Sequence, residues 1–158
     1  MTVYLETTIP SYLAALPSRD IVVAAHQEIT RQWWWERREA FDVFVSELVA
    51  LEAERGEPAV AAQRRLQFLK GIPRLGMTDE AHGLAGRLVD GGAIPFVARA
   101  DALHIAVATA HGLDFLLTWN CRHIANAECR SRIVRICRQG GFEPPILCTP
   151  EELLGVEP

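Results

Sequence analysis

The sequence predicts an α/β domain with a mostly parallel central sheet and helices on both of its faces. Three observations carry that expectation. Short apolar runs rich in Val, Leu, Tyr and Phe recur at Thr2–Leu5, Phe41–Ser46 and Leu113–Thr118. Segments of helical period separate them, so the strands are joined by crossovers and should pair in parallel with right-handed connections. The length of 158 residues suits one domain with a core of its own. A single three-layer α/β/α domain spanning residues 1–158 is therefore expected.

The elements follow in order. Thr2–Leu5 is a short β-prone run with Glu6 at its end, and Thr7 or Thr8 can cap a helix that has Pro10 in its first turn. Asp20, or Ser18 before it, opens a helix to about Arg38, where Val22, Val23, His26, Ile29 and Trp33 recur at helical spacing. Trp33, Trp34 and Trp35 cover more than half of that helix's circumference. At least one indole should therefore face away from the core, toward a partner, a second copy of the chain or, less readily, a nucleobase. Phe41–Ser46 reads as the second strand. Glu47–Arg55 follows as a helix that stops at Gly56, a fitting C′ residue, and Leu48, Leu51 and Glu52 share one of its faces.

Pro58–Leu69 is an amphipathic helix bearing arginines, and Ile72–Leu75 is a short extended link. Thr78 caps a helix from Asp79 to about Asp90 that Gly91 and Gly92 end. This half reads as scaffold with a lid-like pair of helices. Val97–His111 is a helix with Asp101, His104, Ala108 and His111 on one face, ended by Gly112. Leu113–Thr118 is a buried strand. Asn126 caps an Arg-rich helix with Cys129, Ile133, Ile136 and Cys137 as its core stripe, ended by Gly140 and Gly141. Pro145–Cys148 adds a last strand, and Thr149-Pro150-Glu151-Glu152 is a capping box before a short terminal helix.

Composition narrows the classes. Hydrophobic residues make up 49% of the chain and no low-complexity segment occurs, which argues against disorder. The longest apolar runs are too short to span a bilayer, and MTVYLETT lacks a signal peptide's basic start, so a cytoplasmic protein with no membrane partner is expected. Cys121, Cys129, Cys137 and Cys148 form no CxxC pair and read as reduced, mostly buried thiols; Cys121 and His123 could hold zinc only with distant partners. A net charge of −4 argues against a general nucleic-acid coat. Lys70 is the lone lysine, and Arg122, Arg130, Arg132, Arg135 and Arg138 crowd one segment, either as phosphate contacts or as a solvated helix face.

The chemistry centres on acids. Asp101 sits in the first turn of a helix that is otherwise apolar nearly all round, where an ionised carboxylate needs a partner or a metal. Glu6 stands at the carboxyl end of a strand, where open α/β sheets bind ligands. Glu52 sits beside apolar residues, with Glu47 as the alternative inner acid. We expect Glu6, Glu52 and Asp101 to converge on Mg²⁺ or Mn²⁺, which would serve phosphodiester hydrolysis. Asn120 could coordinate weakly or hold a water, Arg122 could neutralise phosphate charge, and His123 could contact phosphate or cap its loop. His104 reads as a packed, hydrogen-bonded helix histidine. Neither a P-loop nor GxGxxG is present.

The segments VYLETTIPSYL, VSELVALEAERG and ADALHIAVATAHGLDFLLTWNCRHIAN resemble PIN-domain proteins, especially the VapC-like ribonuclease toxins of bacterial toxin–antitoxin pairs. The likeness covers essentially the whole chain, and ADALHIA followed by LLTWN is its most specific part. It implies a compact α/β/α fold whose acids bind Mg²⁺ or Mn²⁺ and cleave RNA. Glu6 then takes the first acidic position, Glu52 the second, Asp101 the third, and Asn120 falls at or beside the fourth. It also implies a small antitoxin partner and a homodimer. Glu6 and Asn120 depart from the usual Asp. They leave open a catalytically weak or silent module that acts by partner or RNA binding, and a different small phosphohydrolase is a further alternative.

Overall fold

The computed structural model describes residues 1–56 and 59–155. Its centre is β1 (Thr2–Leu5), in which Val3, Tyr4 and Leu5 are fully buried, as a strand covered on both faces must be. β1 pairs in parallel with β2 (Asp42–Ser46) on one side and with β4 (Phe115–Leu117) on the other. β3 (Arg74–Leu75) edges β2 and β5 (Ile146–Cys148) edges β4, giving one all-parallel sheet in the order β3-β2-β1-β4-β5. The expected link at Ile72–Leu75 thus carries a fifth strand. Its two residues pair only with Val45 and Ser46, too few to show a strand's period in the sequence.

Helices α1 (Thr8–Ala14), α2 (Ile21–Glu36), α3 (Glu47–Arg55) and α4 (Ala59–Leu69) occupy the crossovers between β1, β2 and β3. Helices α5 (Asp79–Asp90), α6 (Arg99–Ala110) and α7 (Ala127–Gln139) occupy those from β3 through β4 to β5. α4 packs on α1 and α3, whereas α5 packs on α6 and α7. Right-handed crossovers place the two groups on opposite faces of the sheet, which makes the three layers. The expected start of α4 at Pro58 lies outside the described residues. No helix among the described residues is long and apolar enough to cross a membrane.

Side-chain caps fix several helix starts. Ser46 accepts from the Val49 amide, Thr78 from Ala81 and Asn126 from Glu128, while the Asp20 carboxylate accepts from Val22 and Val23 at 2.9 and 3.0 Å. α1 differs. Thr7 occupies the N-cap position but makes no capping bond, because its hydroxyl and that of Thr8 serve the site described below. The terminal capping box closes, with the Thr149 amide donating to Glu152 at 2.8 Å, but only a 3-10 turn at Glu151–Leu153 follows.

The faces of α2 and α3 depart in part from those expected, while the tryptophans fall as expected, with one indole outward. α2 buries Gln27, Thr30, Trp33 and Trp34, while Val22 near its start is exposed. Trp33 packs on Phe41 and Trp34 meets Phe68 edge-on, so Trp35 alone of the three faces solvent, at 73% exposure. α3 buries Val49, Ala50 and Ala53, leaving Leu51 exposed and Glu52 at the rim. Its end is held by the buried Arg65 of α4, which donates from Nε to the Ala53 carbonyl at 2.8 Å and also bonds the Gly56 carbonyl. Gly56 has an ordinary φ of −66°, so its value lies in space: a Cβ there would come within 2.9 Å of the Arg65 guanidinium. Gly112, by contrast, ends α6 at a φ of +66°, which an L side chain would strain.

All four cysteines are free. Cys137 and Cys148 are buried, and burial pushes their thiols up to about 11 and about 12 respectively. The arginines of α7 are largely committed: Arg130 donates to the Leu147 carbonyl, Arg132 to the Gly92 carbonyl, and Arg138 pairs with Glu143. Arg130 and Arg132 thereby tie the helix to neighbouring segments, while Arg122 and Arg135 stay exposed, as the solvated reading would have them.

Candidate metal centre

β1 leads to its neighbour β2 through one helical layer, and β4 leads to β5 through the other. The strand order therefore reverses between β1 and β4, and the crevice beyond their carboxyl ends is where open α/β sheets place ligands. Glu6 follows β1 directly and Thr118 follows β4 directly. The Thr118 hydroxyl donates across this crevice to Glu6 Oε2 at 2.6 Å. The Thr8 hydroxyl and amide donate to the same oxygen at 2.6 and 3.1 Å. Glu6 is only 5% exposed, and these three donors compensate the loss of water. Its Oε1 takes no hydrogen bond from the described residues.

Glu52 arrives from the last turns of α3. Its Oε2 accepts from the Thr7 hydroxyl and from His104 Nε2, 3.0 Å away. Burial pushes the Glu52 carboxyl up, but the bond and charge of His104, with the Thr7 bond, outweigh it and hold the carboxyl below its ordinary value. Glu52 Oε1, like that of Glu6, takes no hydrogen bond from the described residues.

His104 lies one turn along α6 from Asp101 and is 1% exposed. Its Nδ1 lies 2.8 Å from the Tyr4 hydroxyl, which lies 2.7 Å from the Ser46 hydroxyl, the N-cap of α3. A buried chain of hydrogen bonds thus runs from α3's first turn through β1 and α6 back to Glu52 in the same helix. Burial pushes the imidazole pKa down, but the Glu52 bond and the charges of Glu6, Glu52 and Asp101 raise it overall. Ligand atoms of Glu6, Glu52 and His104 lie within 4.8 Å of one another, the one such group of three among the described residues. Two carboxylates and an imidazole are a fitting donor set for a divalent ion.

The remaining expected residues stand around this group. Asp101 Oδ2 accepts from His123 Nδ1 at 2.8 Å, so this carboxylate is joined to His123 while its charge is still felt at His104. The Asn120 amide oxygen accepts from the His123 amide at 3.1 Å and so orders the loop after β4. Arg122 is exposed on that loop. Glu47 is exposed at the start of α3, in a separate hollow with Glu54 and Arg74. The supports that sequence reasoning missed are Thr7, Thr8, Thr118, Tyr4 and Ser46, while His104 is the packed, hydrogen-bonded histidine expected and in addition joins the carboxylates. Only His104 left a signal, its position three residues after Asp101 on the same helical face.

Beside the carboxylates, a groove of about 530 Å³ runs from Glu52 and Thr7 past Tyr12 to Val23 and Arg64. His26 stacks on Trp119 with ring centroids 3.9 Å apart and planes 13° from parallel, and Tyr12 lies 6.3 Å from both rings. The Trp119 indole N–H donates to the Thr30 hydroxyl at 2.7 Å, which fixes the ring.

No protein-family model matches the sequence, and no curated protein matches it. Among solved structures, a chain in the crystal structure of VapBC2 from Rickettsia felis bound to a DNA fragment from their promoter is similar, with a TM-score of 0.60. The match covers 94% of this chain and 98% of that one, at 16% identity. The likeness therefore lies in the fold as a whole: this chain has the all-parallel α/β/α architecture of a chain in that assembly.

Proposed function

We propose that this protein is a divalent-metal-dependent ribonuclease, the toxin of a toxin–antitoxin pair. The observation that carries the reading is the meeting of Glu6 and Glu52 at the crevice between β1 and β4. Each has one oxygen held by hydroxyl donors, joined at Glu52 by His104, and one oxygen that takes no hydrogen bond from the described residues. The similar rickettsial structure is a VapBC2 assembly on promoter DNA, which supports a partner protein for this fold.

Glu6 and Glu52 would hold Mg²⁺ or Mn²⁺, with Asp101 adding charge at the rim. When bound, the ion would neutralise the scissile phosphate and activate a water. Thr8 and Thr118 keep Glu6 in place, and Thr7 and His104 keep Glu52 in place. Asp101 orients the His123 ring through Nδ1, and Asn120 orders the loop that presents His123 and Arg122 to phosphate. The half-buried Tyr12 and His26, the latter stacked on the buried Trp119, leave ring surface beside the groove that suits a nucleobase, favouring a polynucleotide over a small phosphate ester. The exposed Trp35 is the surface we assign to a protein partner or a second copy of the chain.

One observation favours a catalytically silent module instead. Asn120 brings no charge, and its amide oxygen is already engaged by the His123 amide. The deciding experiment is cleavage of a mixed tRNA and structured-RNA panel with Mn²⁺, Mg²⁺ or EDTA, beside the Asp101→Asn variant. Discrete metal-dependent products that vanish in the variant are expected. No cleavage, together with no Mn²⁺ binding by calorimetry, would overturn the nuclease and leave the silent module.

A further inference from the structure

We infer that His104 is itself a metal ligand through Nε2, so that the ion sits in a mixed oxygen–nitrogen set that prefers Mn²⁺ to Mg²⁺. The inference rests on the metal-dependent reading above and deepens it. A group that only steadied a carboxylate could stand anywhere along Glu52. His104 Nε2 instead belongs to the same compact group as the Glu6 and Glu52 oxygens, all within 4.8 Å of one another. It lies 3.0 Å from Glu52 Oε2. Two neighbouring ligands of an octahedral ion stand about 3 Å apart when each bond is about 2.1 Å long. That spacing matches one edge of a coordination polyhedron, so an ion held by the Glu52 carboxylate, whose Oε1 stands open beside Oε2, comes within reach of Nε2.

The surroundings of the ring support this assignment. An imidazole ligand is normally held by a hydrogen bond at its other nitrogen. Here Nδ1 meets the Tyr4 hydroxyl at 2.8 Å, and Tyr4 meets Ser46 at 2.7 Å. Either hydroxyl can give or take its bond, so Tyr4 can accept from Nδ1–H once Nε2 faces an ion. The ring is almost fully buried between β1 and α6, with little freedom to turn away. Mg²⁺ keeps oxygen ligands and waters, so a nitrogen in the set weighs against Mg²⁺ and leaves the first-row transition ions, of which Mn²⁺ is the one that also accepts carboxylates well.

The test is electron spin-echo spectroscopy of the full-length protein loaded with Mn²⁺, with calorimetry of Mn²⁺ and Mg²⁺ beside it. Modulation from a directly coordinated imidazole ¹⁴N is expected in the native protein and absent in His104→Gln. Glutamine can still donate to Glu52 from a similar place, so a steadying role alone would leave Mn²⁺ affinity unchanged in that variant. Coordination predicts instead a loss of about tenfold or more in Mn²⁺ affinity, with Mg²⁺ affinity little changed. Tyr4→Phe, which keeps the ring but removes the outer hydrogen bond, should weaken Mn²⁺ about tenfold while the ¹⁴N signal persists. Mn²⁺ bound without ¹⁴N coupling would overturn the inference and leave the nuclease reading standing. Absence of Mn²⁺ binding would overturn the inference, and the RNA panel would then decide the nuclease reading separately.

Discussion

Glu6 shows how a nearly buried carboxylate is kept. One oxygen takes all three donors found among the described residues, and bonds to a charged group contribute about 1.5–3 kcal/mol each. Glu52 is held in a looser way, half open to the groove, with its charged form favoured by His104 and Thr7. Glu47 and Glu52 belong to one helix, yet only Glu52 reaches the crevice. We expect Glu52→Gln to abolish Mn²⁺ binding by calorimetry, and Glu47→Gln to leave it within about twofold of native, as suits a solvent-screened charge. The reverse result would move the site to the hollow that Glu47 shares with Arg74. At this scale two of the three expected acids, Glu6 and Glu52, come together, while Asp101 meets His123 and His104 takes the third place. The threonines were not legible in the sequence, because a hydroxyl after a strand reads equally well as a helix cap.

Among the elements, α3 matters most, because it carries Glu52 and ends on a buried arginine. Arg65 satisfies the Ala53 and Gly56 carbonyls, which face no other described donor. Arg65→Met keeps the bulk and removes both bonds. It should cost about 2–4 kcal/mol in urea unfolding, the scale of breaking a buried charged network. Mn²⁺ affinity should fall with it, because the loosened helix end bears Glu52. Unchanged stability would show that α3 stands on its apolar face alone. The bounds of α5 and α7 were readable because Thr78 and Asn126 cap them through local bonds, and the end of α3 because Gly56 follows it. The inward face of α2 was not, since valines near its start satisfy the same periodicity as the tryptophans that the core takes.

For the whole molecule, the sheet depends on how β1 is fastened beside β4. The Asp114 carboxylate, at the entry to β4, accepts from the Thr2 amide at 2.7 Å and the Thr2 hydroxyl at 3.1 Å. Those bonds, the amide's above all, hold the Asp114 carboxyl below the ordinary value of 3.8. The folded state thus favours the ionised form more than the unfolded state does. The resulting stability is present above pH 3.8 and is lost as pH falls through the lowered folded value. Thermal melts of native protein and Asp114→Asn should therefore differ at pH 7 and converge under strongly acid conditions. A gap that persisted in acid would mean the aspartate acts by shape and not by charge.

The sequence by itself determined the alternation of strand and helix, several capped helix starts, and the acids at Glu6, Glu52 and Asp101 as the places to look for a site. These are local properties, set by periodicity, by caps that reach two or three residues, and by the cost of a charge among aliphatic neighbours. Only the tertiary structure decided the rest. The two-residue β3 exists because β2 offers it an edge. Two of the three tryptophans lie inside because a phenylalanine from another element awaits each of them. Asp101 meets His123, and His104 joins Glu6 and Glu52, because right-handed crossovers on opposite faces bring the ends of β1 and β4 together with the start of α6. Residues about a hundred positions apart share one crevice through that topology, and no local pattern in the chain encodes it.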